Sequence, residues 1–376
     1  MPAVPPAAVP PASSAPTTAP STAGRAVPPV ADHAVEGAPR YRALALQTAC
    51  HAVNRMETVA QARSAMHASI DRFHDEALAS VRTAGADTRL LVLPEYALSG
   101  PPNGETLGEW SDRAALDVDG IEYRRFGEMA RDLGVHLSVN NYERDEHFPG
   151  IYFQACVIFD DAGEVVLRYR RLNSMWAVTP HDVLDRYLEI YGPEALFPVA
   201  DTAIGRLAPI ASEEILYPEI ARCFAVRGAE VFVHNSSEVA SALPTPKNIA
   251  KIARAQENSA WIVSANTAGL FGQGLPPMSG DGSSKIVDHR GFVHAEAASG
   301  PSMAANAMID LGASRAFRRR VAMENVLARQ RFELYAPTYA GHVLHPANTV
   351  DGVPDRSQFR ATQQSVVDAL VARGVI

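Results

Sequence analysis

The 376-residue chain is poor in cysteine and in lysine, and it has no long apolar run. Its three cysteines, Cys50, Cys156 and Cys223, are widely spaced and odd in number, so they indicate neither a disulfide framework nor a zinc site. We therefore expect a reducing, cytoplasmic environment. No segment approaches the roughly 18 apolar residues that a membrane-spanning helix needs, so a membrane partner is not expected.

Lysine occurs only at Lys247, Lys251 and Lys285, and arginine supplies nearly all of the positive charge. The net charge of −8 is modest, and no basic stripe indicates a nucleic-acid partner. No glycine-rich phosphate loop is present either, because the Gly280 and Gly282 pair is too sparse to form one.

Residues 1–40 consist almost entirely of Pro, Ala, Ser, Thr, Val and Gly, with no aromatic residue before Tyr41. Such a segment buries too little apolar surface to offset its chain entropy, so we predict a disordered arm. It lacks the basic start and continuous apolar core of a secretory signal. We assign residues 41–340 to one folded domain. Residues 341–376 form a C-terminal extension that is a candidate part of an oligomer interface.

The folded part alternates between strand and helix patterns. An apolar strand is predicted at 42–48, a helix at 57–81 with one apolar face, and a buried strand at 89–93 that ends near Glu95. Further elements are expected as helices at 123–133, 218–227, 245–258 and 363–373, strands at 135–142, 205–211, 230–234 and 261–266, and hairpins at 152–169 and 284–295. This alternation predicts a single α/β domain.

Five sequence blocks, in this order and spacing, resemble the nitrilase superfamily, the carbon–nitrogen hydrolases. The blocks are LPEY at 93–96, LRYRRLN at 167–173, ASEEILYPEIAR at 211–222, ARAQEN at 253–258 and GSSKIVD at 282–288. The resemblance covers the chain from Tyr41 to about Tyr339. It implies a four-layer α-β-β-α sandwich that pairs into homodimers or larger homo-oligomers, and chemistry without a metal or organic cofactor.

The family uses a glutamate base, a lysine, a nucleophilic cysteine and a second glutamate. The resemblance places Glu95 in the first role, Arg171 where the family has lysine, and Ser212 where it has cysteine. Arginine keeps the positive charge but cannot be deprotonated in a protein. A serine hydroxyl is far less acidic than a thiol and depends on a stronger base. We expect the three side chains to converge on one pocket.

The second carboxylate is either Asp185 or Glu189, and we choose Glu189. Five further side chains are expected to face the pocket and bind substrate: Trp176, Glu214, Tyr217, His234 and Asn235. Two of these have a structural alternative. Glu214 is placed to fix the turn after Ser212, and His234 is equally well read as a hydrogen-bonded core histidine.

The resemblance favours an amidase over a true nitrilase, because Glu213 follows Ser212 where nitrilases usually have tryptophan. Ile215 and Leu216 stand where relatives that act on N-carbamoyl amino acids carry carboxylate-binding arginines, which indicates a small neutral amide. Alternatives are an inactive binding or scaffold protein, an engineered cysteine-to-serine variant, and, less favoured, an N-acyltransferase. Departures at both Ser212 and Arg171 favour natural divergence over engineering.

Overall fold

The computed structural model describes residues 35–376 except 240, 242, 275, 277–279, 281 and 301. The arm predicted for residues 1–40 therefore lies outside the described residues up to residue 34, and the first strand begins at Arg40. The described chain belongs to one compact unit, Asp32–Ile376, which includes the C-terminal extension.

Fifteen strands and nine α-helices make up the described chain. The strands are β1 (Arg40–Gln47), β2 (Ala49–His51), β3 (Thr88–Glu95), β4 (Leu116–Asp117), β5 (His136–Arg144), β6 (Tyr152–Phe159), β7 (Val165–Arg170), β8 (Ala200–Thr202), β9 (Gly205–Ala211), β10 (Val231–Asn235), β11 (Trp261–Ala265), β12 (Gly269–Phe271), β13 (Lys285–Val287), β14 (Val293–Glu296) and β15 (Met303–Asp310). The helices are α1 (Val59–Ala84), α2 (Leu107–Ala114), α3 (Ile121–Leu133), α4 (Leu184–Tyr191), α5 (Pro218–Val226), α6 (Pro246–Asn258), α7 (Leu311–Arg318), α8 (Phe332–Ala340) and α9 (Arg356–Ala372).

Two mixed sheets face each other. The first has the order β15-β1-β3-β5-β6-β7, with β4 paired to β5, and the second has the order β14-β13-β11-β10-β9-β8. The central strands β1, β3 and β5 are parallel, as are β9, β10 and β11. Because the carboxyl ends of parallel strands meet at one edge of a sheet, this topology gathers the loops after β3, β9 and β10.

The four layers follow from side-chain alternation along the strands. In β1, Ala43 and Ala45 belong to the core between the sheets, whereas Leu44 and Leu46 belong to the core beneath α1 and α3. A strand with a helix on one face and a sheet on the other is buried on both faces, which explains its continuous apolar sequence. Helices α5 and α6 cover the outer face of the second sheet. The predicted α/β sandwich is thus confirmed.

Helix α1 shows why the local sequence specifies its element. Thr58 accepts a hydrogen bond from the backbone N–H of Gln61, and the Gln61 side chain accepts one from the N–H of Thr58, which forms a capping box. The buried face repeats at helical spacing through Ala62, Met66, Ser69, Ile70, Phe73 and Ala77. No helix in the described part of the chain is both long enough and apolar enough to cross a membrane.

Candidate active site

Four polar side chains from four different elements line one cavity of about 590 Å³. Glu95 ends β3, Arg171 directly follows β7, and Ser212 opens the 3₁₀ turn between β9 and α5. Lys247 lies in the first turn of α6. The structure therefore brings together Glu95, Arg171 and Ser212, as the sequence predicted, and adds a lysine that the sequence analysis did not assign to the site.

Ser212 is held in an unusual backbone conformation. Its φ is 48°, in the left-handed region that non-glycine residues rarely adopt, at a cost of about 1–3 kcal/mol. The sharp strand-to-helix turn presents the hydroxyl to the cavity, a geometry that nucleophilic serines use in other α/β folds. The residue is almost fully buried, and its Oγ accepts a hydrogen bond from Lys247 Nζ at 2.9 Å.

Lys247 is the cation in contact with Ser212. Besides Ser212 Oγ, its Nζ donates to the backbone oxygen of Ser237 at 3.1 Å. Burial lowers the pKa of the Lys247 ammonium, and Arg171 lowers it further, whereas Glu95 and Glu238 oppose the shift. A lysine with a depressed pKa beside a serine hydroxyl is equipped to accept the proton of that hydroxyl.

Glu95 is buried and anchored through both of its carboxylate oxygens. Its Oε1 accepts from Gln154 Nε2 at 2.7 Å and from an Arg171 terminal nitrogen at 3.3 Å, and its Oε2 accepts from the Ser237 N–H at 3.1 Å. Donors on both oxygens fix the orientation of the carboxylate. Glu95 therefore supplies a fixed negative charge near Lys247.

The guanidinium of Arg171 links several residues of the cavity wall. In addition to Glu95, it donates to Gln154 Oε1 and to the backbone oxygen of Asn173, both at 2.5 Å, and it forms an ion pair with Glu213. None of these contacts is with Ser212. The structure thus gives Arg171 the geometry of a clamp on two carboxylates, while the contact with the serine belongs to Lys247.

His234 supports Ser212 from behind the cavity. Its Nε2 lies 2.9 Å from the backbone oxygen of Ser212, and its Nδ1 lies 2.8 Å from Ser264 Oγ. Because a carbonyl can only accept, Nε2 carries the hydrogen and Nδ1 accepts from the serine hydroxyl. Burial, together with Lys251, lowers the pKa of His234 well below its usual value, so the ring is neutral. His234 is therefore a hydrogen-bonded core histidine and not a substrate-binding residue, since it does not line the cavity.

The substrate-binding prediction for Glu214 needs correction. Its fully buried carboxylate accepts from the N–H groups of Leu172 and Asn173 at 2.7 and 3.1 Å, and from the Tyr169 hydroxyl at 2.8 Å. Burial raises its pKa. Glu214 therefore fixes the segment that follows Arg171 and does not line the cavity.

The structure also contradicts the placement of Glu189. Helix α4 turns Tyr187 inward, so Glu189 and Asp185 lie exposed on its outer side, away from Ser212. Asn235, predicted to bind substrate, is fully buried and does not line the cavity. Its amide donates to the backbone oxygen of Leu93 at 2.7 Å and links the two sheets. Sequence spacing could not place these side chains, since their directions depend on how the helix and the two sheets pack together.

Of the remaining predicted binding residues, Trp176 lines the cavity and Tyr217 does not. Tyr217 lines a neighbouring cavity of about 450 Å³. None of the three cysteines lines the site cavity. Burial raises the pKa of the Cys156 thiol, whose sulfur accepts from Asn140 Nδ2 at 3.1 Å. Among the described residues, no cluster of three or more His, Cys, Asp or Glu is placed to hold a metal ion.

Comparisons with known proteins identify the family. A family model described as carbon–nitrogen hydrolase matches residues 45–319. A formamidase of Bacillus thuringiensis (strain Al Hakam) is 28% identical over 209 residues, which is 54% of this chain and 58% of the formamidase. The chain thus spans less than two thirds of that relative's length.

Two solved structures share the fold. Nit3 of Saccharomyces cerevisiae, a member of branch 10 of the nitrilase superfamily, has a TM-score of 0.60 and 18% identity, over 76% of this chain and 95% of Nit3. A cysteine-to-serine mutant of an amidase from Nesterenkonia AN1 has a TM-score of 0.57 and 19% identity, over 79% of this chain and 97% of the amidase. At such identities the likeness establishes the fold alone.

Proposed function

The chain belongs to the carbon–nitrogen hydrolase family, and we propose that it cleaves the carbon–nitrogen bond of a small amide with Ser212 as nucleophile and Lys247 as its base. The observation that carries this proposal is the 2.9 Å hydrogen bond between Lys247 Nζ and Ser212 Oγ inside the cavity. In this proposal Ser212 stands in place of the family's cysteine, and Lys247, on a different element, takes over the work of the family's lysine.

The proposed reaction runs in two halves. Neutral Lys247 accepts the Ser212 proton while Oγ attacks the amide carbon, and the resulting ammonium stabilises the negative charge that develops on the carbonyl oxygen. The same proton then passes to the departing amine, which leaves an ester on Ser212. Water, deprotonated by Lys247, cleaves that ester and restores the serine. Glu95 and Arg171 keep the charges around Lys247 fixed throughout.

The charge of the substrate is not set by the residues on which the neutral-amide prediction rested. Ile215 is buried and Leu216 is exposed, and neither lines the cavity. Their backbone oxygens instead accept hydrogen bonds from Arg254 at 3.0 and 3.2 Å. A cavity of about 590 Å³ is suited to a small molecule. We therefore propose a small amide as the substrate class.

The three-part division of the chain, a cytoplasmic location and assembly into homo-oligomers remain proposals from the sequence. A role for residues 341–376 in an oligomer interface is a proposal of the same kind. The inactive scaffold alternative differs from the hydrolase proposal in one measurable respect, because a scaffold forms no covalent intermediate.

We expect intact-protein mass spectrometry to detect an ester on Ser212 when the protein is incubated with simple amides and quenched in acid. The mass gain should equal the acyl group, and peptide mapping should place it on Ser212, because an acyl-serine is the intermediate of the proposed reaction. The Ser212→Ala protein serves as the control and should gain no mass. Absence of both the adduct and ammonia release across an amide panel would favour the scaffold alternative.

Replacing Arg171 with lysine is expected to lower kcat/KM by about 10- to 100-fold. A lysine has one donor nitrogen and cannot bridge Glu95, Gln154 and the Asn173 oxygen as a planar guanidinium does. The loss corresponds to about 1.4–2.8 kcal/mol of transition-state stabilisation. Steady-state kinetics would measure it, with exposed Arg320→Lys as the matched control. A gain in activity would instead show that position 171 requires lysine.

A further inference from the structure

The C-terminal extension contributes a residue to the site cavity. Arg356, the first residue of α9, lines the same cavity as Ser212 and Lys247. Its Nε donates to the backbone oxygen of Glu105 at 2.8 Å, and its two terminal nitrogens donate to the Trp176 oxygen at 2.6 Å and to the Tyr152 hydroxyl at 3.1 Å.

The segment before α9 holds Arg356 in place. Thr349 Oγ1 donates to Asp182 Oδ1 at 2.8 Å, and the Val350 N–H donates to the backbone oxygen of Asp182 at 3.1 Å. Phe359, one turn along α9, is buried in the core beneath the first sheet. The guanidinium is therefore positioned by the fold, and little conformational entropy remains to be lost when a ligand binds.

Within the described residues, the Arg356 guanidinium is held by neutral acceptors and not by a carboxylate. All three of its acceptors are neutral oxygens, and it forms no ion pair with any described carboxylate, whereas Arg171 contacts both Glu95 and Glu213. A guanidinium has five N–H donors, so two remain after the three bonds given above. A partly buried cation with unused donors in a cavity favours an anionic ligand, and a carboxylate matches its planar fork.

We propose that Arg356 binds a carboxylate at the end of the substrate remote from the scissile amide, and so determines specificity. The preferred substrate is then a small amide that also carries a carboxylate, such as the monoamide of a straight-chain dicarboxylic acid. This inference rests on the proposed function, because it assigns the amide end to Ser212 and Lys247. The carboxylate end lies against Arg356 and the aromatic wall that contains Tyr152.

A kinetic test compares monoamides of dicarboxylic acids of three to six carbons with the uncharged amides of matching chain length. At the best length we expect the charged amide to have a kcat/KM at least about tenfold higher, the effect of one charge-assisted contact. Arg356→Gln should remove this preference mainly through KM, and Arg356→Lys should keep part of it. Arg360→Gln, an exposed arginine one turn along α9, should leave it unchanged. Equal losses for charged and uncharged amides in Arg356→Gln would overturn the inference.

A binding test separates this inference from the proposed chemistry. In the Ser212→Ala protein, calorimetry should show the charged amide binding at least about tenfold more tightly than its uncharged counterpart, and Arg356→Gln should abolish the difference. This result would support the role of Arg356 even if no amide is hydrolysed, in which case only the proposed function fails. Equal affinities for the two amides at every chain length would overturn the inference while leaving the proposed function to its own test.

Discussion

Replacing Lys247 with methionine is expected to lower kcat by about 10²- to 10⁴-fold, the usual contribution of a positioned general acid or base. Lys247 Nζ is the donor found in contact with Ser212 Oγ, and a serine hydroxyl depends on an adjacent base to become nucleophilic. Methionine has a similar length and keeps much of the packing, but it cannot carry a proton. Ammonia release measured under saturating amide would give the loss in kcat.

The pH profile distinguishes a base from a purely structural lysine. Only the neutral amine accepts a proton, so activity should rise with pH as Lys247 deprotonates. Because burial lowers its pKa, this rise should come at lower pH than for an ordinary lysine. Lys247→Arg keeps the positive charge but cannot deprotonate, so it should be as impaired as Lys247→Met. An active Lys247→Arg protein would show that charge alone is needed there.

The sequence predicted the parts of the site that depend on local structure. Glu95 ends a buried strand, and Ser212 lies between a strand and a helix that begins at Pro218, so both are placed by elements with clear patterns. Lys247 was visible as one of only three lysines, just after the helix start at Thr245-Pro246. Its contact with Ser212 depends on how α6 packs beside the turn, which no local pattern contains.

Several elements were missed or misplaced, and two of them illustrate the reasons. The strand β15 carries three alanines among its eight residues, and this weak pattern gave no prediction, although it pairs with β1 along its length. The final helix was expected at 363–373 but begins at Arg356, where Asp355 accepts from the Ser357 N–H as an N-cap. The position of Arg356 in the cavity then follows from tertiary contacts with residues more than 150 positions earlier.

Replacing Ser212 with alanine is expected to lower kcat by about 10⁴- to 10⁶-fold, the range found when a nucleophile is removed from a hydrolase whose catalytic groups act as a unit. The same interdependence predicts that Ser212→Ala combined with Lys247→Met is hardly worse than Ser212→Ala alone, because a base without its nucleophile has no proton to accept. Steady-state ammonia release from the two single variants and the double variant would test both statements.

Ser212→Cys supplies the matching gain-of-reactivity control. A thiol ionises far more readily than a hydroxyl, so this variant should act at lower pH than the parent protein and become sensitive to alkylating reagents. Of the native thiols, Cys50 and Cys156 are fully buried, and burial raises the pKa of all three, which keeps the alkylation background low. If Ser212→Ala instead keeps most of the activity, the nucleophile is another group, and the contact between Lys247 and Ser212 is structural.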